Sequence, residues 1–214
     1  MKIALLSESS ADEAAVSILI EGLLGRSIQR VRFPEPPTRG WRGVFKAIEP
    51  TLRNLHYCTQ TEALVVTLDS DESPVHRKDQ GESNKCDPNC RLCNLREKIE
   101  SVQASLRPRQ GLGPIRIVLG IAVPAIEAWC LCDKNRHISE ATWIQALRSK
   151  RFTFTKKSLK QTLYGSTEPS LALETKELVK QARRLVKDDQ LPRLESLFSV
   201  GFGSLAEEVR SWRS

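Results

Sequence analysis

Apolar and polar positions alternate between two regimes along the chain. Residues 2–7 form a short apolar run closed by polar side chains, the signature of a buried strand. A helix is expected to follow at once. Ser10 and Glu13 have the S-x-x-E spacing of a capping box, Ala14, Ile18, Leu19, Gly22 and Leu23 keep helical spacing, and Gly25 is placed to end the helix. Residues 27–33 alternate as a strand does, PEPPTRG reads as a loop, and residues 41–55 read as a helix that contains Pro50.

The run ALVVTL at residues 63–68 is apolar at every position, as a central parallel strand covered on both faces requires, and it leads directly into Asp69-Ser70-Asp71. A polar stretch at 73–94 follows, then a short amphipathic helix at 95–106, a further buried strand at 115–123, and a helix opened by Pro124 in AIEAWCLCD. Beyond residue 139 the strand signals stop. The remainder reads as basic helices packed on one side of the sheet, each basic residue taken singly being an ordinary exposed helix position. Strands alternating with helices predict an α/β fold with a doubly wound, mostly parallel sheet. The expected organisation is a domain over residues 1–135, carrying the insertion at 73–94, and a basic helical region over 136–214.

Composition narrows the function classes. The chain has 214 residues, 40% of them hydrophobic and 28% charged, enough to bury a core without covalent staples. The apolar runs are about half the roughly 20 residues that a spanning helix needs, and the first residues turn acidic before a signal-peptide core develops. A cytoplasmic chain without a membrane partner is expected. Lys and Arg together number 33 against 26 Asp and Glu, a net charge of +7 that suits a polyanion such as DNA or RNA, although a merely solvated cationic surface has the same composition.

Candidate chemistry lies at the strand ends. Ligands of open parallel sheets bind beyond the carboxyl ends of the strands, near the point where strand order reverses. Glu8 ends one strand and Asp69 and Asp71 end another. If strand geometry continued, Asp69 and Asp71 would point to one side and Ser70 away, a fork for a hard cation such as Mg²⁺ or Mn²⁺. The competing reading is a pair of loop aspartates that only make a turn. Cys86, Cys90 and Cys93 have C-x3-C-x2-C spacing, with His76 in the same polar stretch. A Cys3His set would hold a structural Zn²⁺ and order a segment poor in apolar residues, with His56 or Cys58 as other sources of the fourth ligand. Cys130 and Cys132, in an apolar helical stretch, are expected in the core.

Glu8 after the first strand and D-x-D after a later one resemble the TOPRIM domain of topoisomerases, primases and several nucleases, over roughly residues 1–135. The segment VPAIEAWCLCD is similar to the stretch after the last core strand in small stand-alone TOPRIM-like proteins found near mobile elements and defence loci. One departure is Ser9, where many members carry glycine. The resemblance implies a metal-dependent nuclease using Glu8, Asp69, Asp71 and Glu127, with Asp133 as a further acidic position, acting in phage defence or a mobile-element system and working with a partner ATPase. Read from the residues alone, Glu127 could equally be a first-turn acid that favours its helix dipole. A topoisomerase is not expected, because only Tyr57 and Tyr164 are available and no strand-passage domain fits in this length. Two other readings stay open: a non-catalytic zinc module that binds nucleic acid or a protein, and a haloacid-dehalogenase-like phosphatase with Asp69 as nucleophile.

Overall fold

The continuous apolar run at 63–68 becomes a strand with neighbours on both sides. In the computed structural model, which describes residues 1–32, 40–75, 87–109 and 111–213, four strands form one parallel sheet: β1 (Lys2–Leu6), β2 (Gln29–Val31), β3 (Ala63–Asp69) and β4 (Arg116–Ala122), in the order β2-β1-β3-β4. Register is set by pairs such as Leu6 with Val66 and Asp69 with Ala122. The chain leaves β1 toward β2 on one side and returns to β3 on the other. The strand order therefore reverses between β1 and β3, where a crevice is expected at the carboxyl ends.

Helices cover both faces. On one face α2 (Trp41–Cys58) and α3 (Arg91–Ser105) bury Ile48, Leu52, Leu55, Leu95 and Ile99 against Leu6, Leu64, Val66 and Leu68. On the other, α1 (Ser10–Leu24), α4 (Ile126–Leu131), α5 (Glu140–Ser149), α6 (Lys156–Tyr164), α7 (Leu171–Lys187), α8 (Leu191–Leu197) and α9 (Ser204–Arg210) share a core with Ile3, Leu5, Val65, Val118 and Ile121. Each fully buried Leu, Ile or Val contributes on the order of 1.5–3 kcal/mol, so the two apolar layers hold the sheet. The basic C-terminal helices belong to the second layer, as the sequence predicted, and α7 packs along α1.

Two local details decide how closely the layers meet. Gly25 ends α1 in the left-handed conformation, φ 66°, where it satisfies carbonyls of the last turn. A π-helical turn at Ser199–Gly203 lies over β4, and a Cβ at Gly201 would stand 2.0 Å from the Ile121 carbonyl oxygen, so no larger residue fits. The Glu140 carboxylate fixes that turn by accepting from the Val200 and Gly201 N–H groups at 3.1 and 2.9 Å.

Several element boundaries move. The first helix is capped by Ser9, whose hydroxyl accepts from Asp12 N, so the expected Ser10–Glu13 box is displaced by one residue. Helix α3 begins at Arg91, four residues before the expected 95, and its N-cap Cys90 is 0% exposed within the apolar core. The end of the 73–94 stretch is thus part of a core helix and not a free loop. No described helix is long and apolar enough to cross a membrane.

Candidate functional site

Carboxylates gather at the carboxyl edge of the sheet where β1 and β3 diverge. Glu8 leaves β1 and reaches across to β3, accepting the Asp69 N–H at 3.1 Å. Asp69 is the last residue of β3, and its Oδ1 accepts from Ile126 N at 3.1 Å at the start of α4. Asp71 sits two residues on, but not through continued strand geometry. Its φ is 48°, in the left-handed region that Asp tolerates better than most residues. The Ser70 and Asp71 N–H groups donate to Ala122 O and Pro124 O at 2.8 and 3.0 Å, which pins this turn beside the end of β4. The two aspartates are therefore brought to one edge by a turn and not by the continued strand geometry expected of them, and Ser70 between them is buried.

The fork holds a cation from the protein itself. Lys156, the first residue of α6, donates from Nζ to Asp69 Oδ2 at 2.8 Å and also hydrogen-bonds Asp71 Oδ1. Arg91 binds the far side: its guanidinium lies 2.7 Å from Asp71 Oδ2 and donates to the Asp69 carbonyl oxygen at 2.7 Å. The same guanidinium lies 5.3 Å from the centre of the Trp41 ring, a cation–π contact that fixes its orientation.

Two further acids close the site. Glu127, in the first turn of α4, is only 4% exposed; Tyr164 donates to its Oε1 at 3.3 Å and Lys160 Nζ stands 3.9 Å away. Asp12 comes from the first turn of α1 and, with Asp69, Thr67 and Trp129, lines a small cleft of about 10 Å³, room for roughly one water molecule.

Burial and crowding set the protonation behaviour. Burial, then the charge of Asp69, pushes Glu8 up to about 7, and burial with the same neighbour pushes Glu127 up to about 7. Asp12 is raised well above the usual carboxylate value, by burial first and Asp69 second. Burial also raises Asp69, against the pull of Lys156. For Asp71 burial acts upward too, but Lys156 and Arg91 together outweigh it and hold the carboxyl below its ordinary value. Burial lowers the Lys156 ammonium's pKa, but Asp69 and Asp71 outweigh it and raise the net value. A group of carboxyls reluctant to ionise together, set in a crevice, marks a functional-site candidate.

The structure therefore brings Glu8, Asp69, Asp71 and Glu127 to one edge. Sequence reasoning missed Asp12, Arg91, Lys156, Lys160 and Tyr164. Asp12 was legible as the third helical residue after Ser9, an S-x-x-D spacing as good as the one at Ser10. Lys156 and Lys160 are four apart and so share a helix face, but nothing in their sequence says that this face looks inward. Asp133 pairs with Arg184 of α7 at 2.7 Å, a structural link between α4 and the helical layer.

The expected zinc set is not assembled among the described residues. His76 and Cys86 lie outside them. Cys93 is disulfide-bonded, and Cys90 is a free, buried core residue. His56 is hydrogen-bonded to the Arg107 carbonyl oxygen at 2.7 Å, and Cys58 is exposed at the end of α2. Cys130 and Cys132 are buried, as expected, and burial pushes the Cys132 thiol up to about 12.

No protein-family model, no curated protein and no solved structure matches the chain.

Proposed function

We propose that the chain is a divalent-metal-dependent phosphodiesterase acting on nucleic acid, with Glu8, Asp69 and Asp71 as metal ligands and Glu127 as a flanking acid. One observation carries this reading: Asp69 and Asp71 already share a cation, the Lys156 ammonium, at the edge where β1 and β3 part and Glu8 reaches across. An ammonium held by two carboxylates is a stand-in for an ion. The donors are all oxygen, the set that Mg²⁺ and Mn²⁺ prefer. As placed, however, no three His, Cys, Asp or Glu side chains among the described residues converge closely enough to enclose an ion. Metal binding then requires Lys156 to leave the fork and Glu8 to turn toward it.

When bound, such an ion supplies a charge that polarises a phosphoryl oxygen and makes water more acidic. The chain's own groups do the rest. Lys156, once released from the fork, and Arg91 beside it would be the cations to meet a phosphate. Ile126 N holds Asp69 in one orientation. Glu127, buried beside Asp69 and held by Tyr164, would be the flanking acid. The order of Glu8 and the D-x-D pair, which resembles the TOPRIM pattern, supports the same activity. A place in phage defence or a mobile-element system, and a partner ATPase, are proposed on that resemblance alone.

A second reading is favoured by the same ion pairs. Lys156 and Arg91 neutralise Asp69 and Asp71 completely enough for the group to be a structural knot in a non-catalytic nucleic-acid-binding protein. Asp69 as a phosphatase nucleophile would likewise need Lys156 to leave Oδ2, because Ile126 N holds Oδ1. Incubation of labelled DNA and RNA with Mg²⁺ or Mn²⁺ separates the first two. The nuclease reading expects cleavage that falls by about 100-fold or more in Glu8→Ala, Asp69→Ala and Asp71→Ala proteins that keep nucleic-acid affinity. Equal cleavage by all four proteins overturns it.

A further inference from the structure

A second depression adjoins the carboxylates, and its lining is not that of a metal site. It has a volume of about 720 Å³, within the range of about 300–1,000 Å³ that holds small organic ligands. Trp143 and Phe152 form its aromatic wall, their ring centres 5.1 Å apart. Trp143 is buried against Phe154, whereas Phe152 is 39% exposed, with Tyr57 and Leu112 one of three exposed large apolar side chains among the described residues. Lys157 adds an exposed positive charge to the same lining, beside Arg91 and Lys156, which are paired with the aspartates; Asp71 and Glu72 are its acids, and Asn89 adds a polar group.

The depression is tied to the carboxylate site by covalent neighbours and by a hydrogen bond. Asp71 and Lys156 belong to both. The Trp143 indole N–H donates to the Asp71 carbonyl oxygen at 3.1 Å, so the aromatic wall and the left-handed turn that presents Asp71 are held in one register. An exposed aromatic face beside clustered cations fits a flat, π-rich group joined to an anion. A phosphorylated apolar ligand would use the charge but not the ring face; a peptide anion would use neither arrangement as fully.

We propose that this depression binds one unpaired nucleotide of a single strand: the base stacks on the exposed Phe152, which Trp143 backs, and its phosphate meets the exposed Lys157 beside the Lys156 ammonium at the edge of the carboxylates. A base inside a duplex is stacked on both faces and cannot present one to a protein ring. A single strand can, and aromatic stacking of this kind tolerates any sequence. The inference rests on the nuclease reading of the neighbouring carboxylates and names its substrate as single-stranded or locally unpaired nucleic acid.

Binding is tested in chelator, where no metal-dependent cleavage occurs, with a fluorescein-labelled oligothymidylate of about a dozen nucleotides, a blunt duplex of equal length, and thymidine monophosphate as competitor. The expected result is a single-strand preference that Phe152→Ala reduces by about tenfold, that Phe152→Trp retains, and that thymidine monophosphate competes only weakly. Equal affinity for strand and duplex, or an unchanged Phe152→Ala protein, overturns the proposal. Competition by the mononucleotide as strong as by the strand also overturns it, in favour of a small-nucleotide site. Thermal melting confirms that each variant is folded. Loss of cleavage in Asp69→Ala with no effect of Phe152→Ala on binding would leave the metal reading standing and remove this one.

Discussion

The ammonium of Lys156, from the first turn of α6, lies 2.8 Å from Oδ2 of Asp69, the last residue of β3, across 87 positions of sequence. That contact joins the C-terminal helices to the crevice of the sheet. It also sets a positive charge between the two aspartates.

Removing the amine exposes the cost of the carboxylates. In Lys156→Met, Asp69 keeps its burial and loses its main partner. A fully buried pair broken from one side costs about 3–5 kcal/mol, but 33% of the Lys156 side chain is exposed, so a loss of about 1–3 kcal/mol is expected. Thermal melting in chelator should show it. Adding Mg²⁺ should recover more stability in Lys156→Met than in the parent, because the ion no longer competes with an ammonium. A variant melting like the parent, with and without Mg²⁺, contradicts the exchange of one cation for another.

The elevated carboxyls dictate a pH dependence with a definite sign. Glu8 and Glu127 have ordinary values of 4.5 and folded values of about 7. Below 4.5 they are protonated in both folded and unfolded chains and cost nothing. Between 4.5 and 7 the unfolded chain gives up protons that the folded chain keeps, so stability falls as pH rises, and it levels off above 7. Metal-free protein should therefore melt higher at the acid end of this window than above it. Glu8→Gln should flatten the slope, and saturating Mg²⁺ should flatten or reverse it. Melting curves that rise across the window in chelator would show that these groups do not titrate as described.

Cys90 tests the cysteine cluster. Because it is a buried core residue at the start of α3, Cys90→Ser should lower stability by about 1–3 kcal/mol in reduced protein, whether or not zinc is supplied. Zinc analysis of the same samples is the complementary readout. A loss of stability that appears only when zinc is present would return Cys90 to the ligand set that its spacing suggested.

Much of the sheet was legible because its signals are local. The unbroken apolar run at 63–68 announces a central strand, and an acid directly after such a run is an acid at the carboxyl edge. Glu8, Asp69 and Asp71 were found in that way. The left-handed Asp71 was not, since D-x-D reads equally well as extended chain, and the difference lies in N–H groups that bond to Ala122 and Pro124 far along the sequence. Lys156, Lys160 and Tyr164 were hidden for a related reason. A basic helix with alternating apolar residues looks the same whether its cations face water or a buried acid, and only the packing of α6 beside α4 decides. Cys90 went the other way: spacing grouped it with Cys86 and Cys93, while the core claimed its side chain.

Exchange of Lys156 for a divalent ion at this acidic fork is tested most directly by crystals of the protein soaked in Mn²⁺ and measured for anomalous scattering. The expected result is a manganese peak between Glu8, Asp69 and Asp71, with the Lys156 ammonium moved off both aspartates toward the aromatic depression. A map with no peak at the fork, and Lys156 still bound to Asp69 and Asp71 at millimolar Mn²⁺, would contradict it.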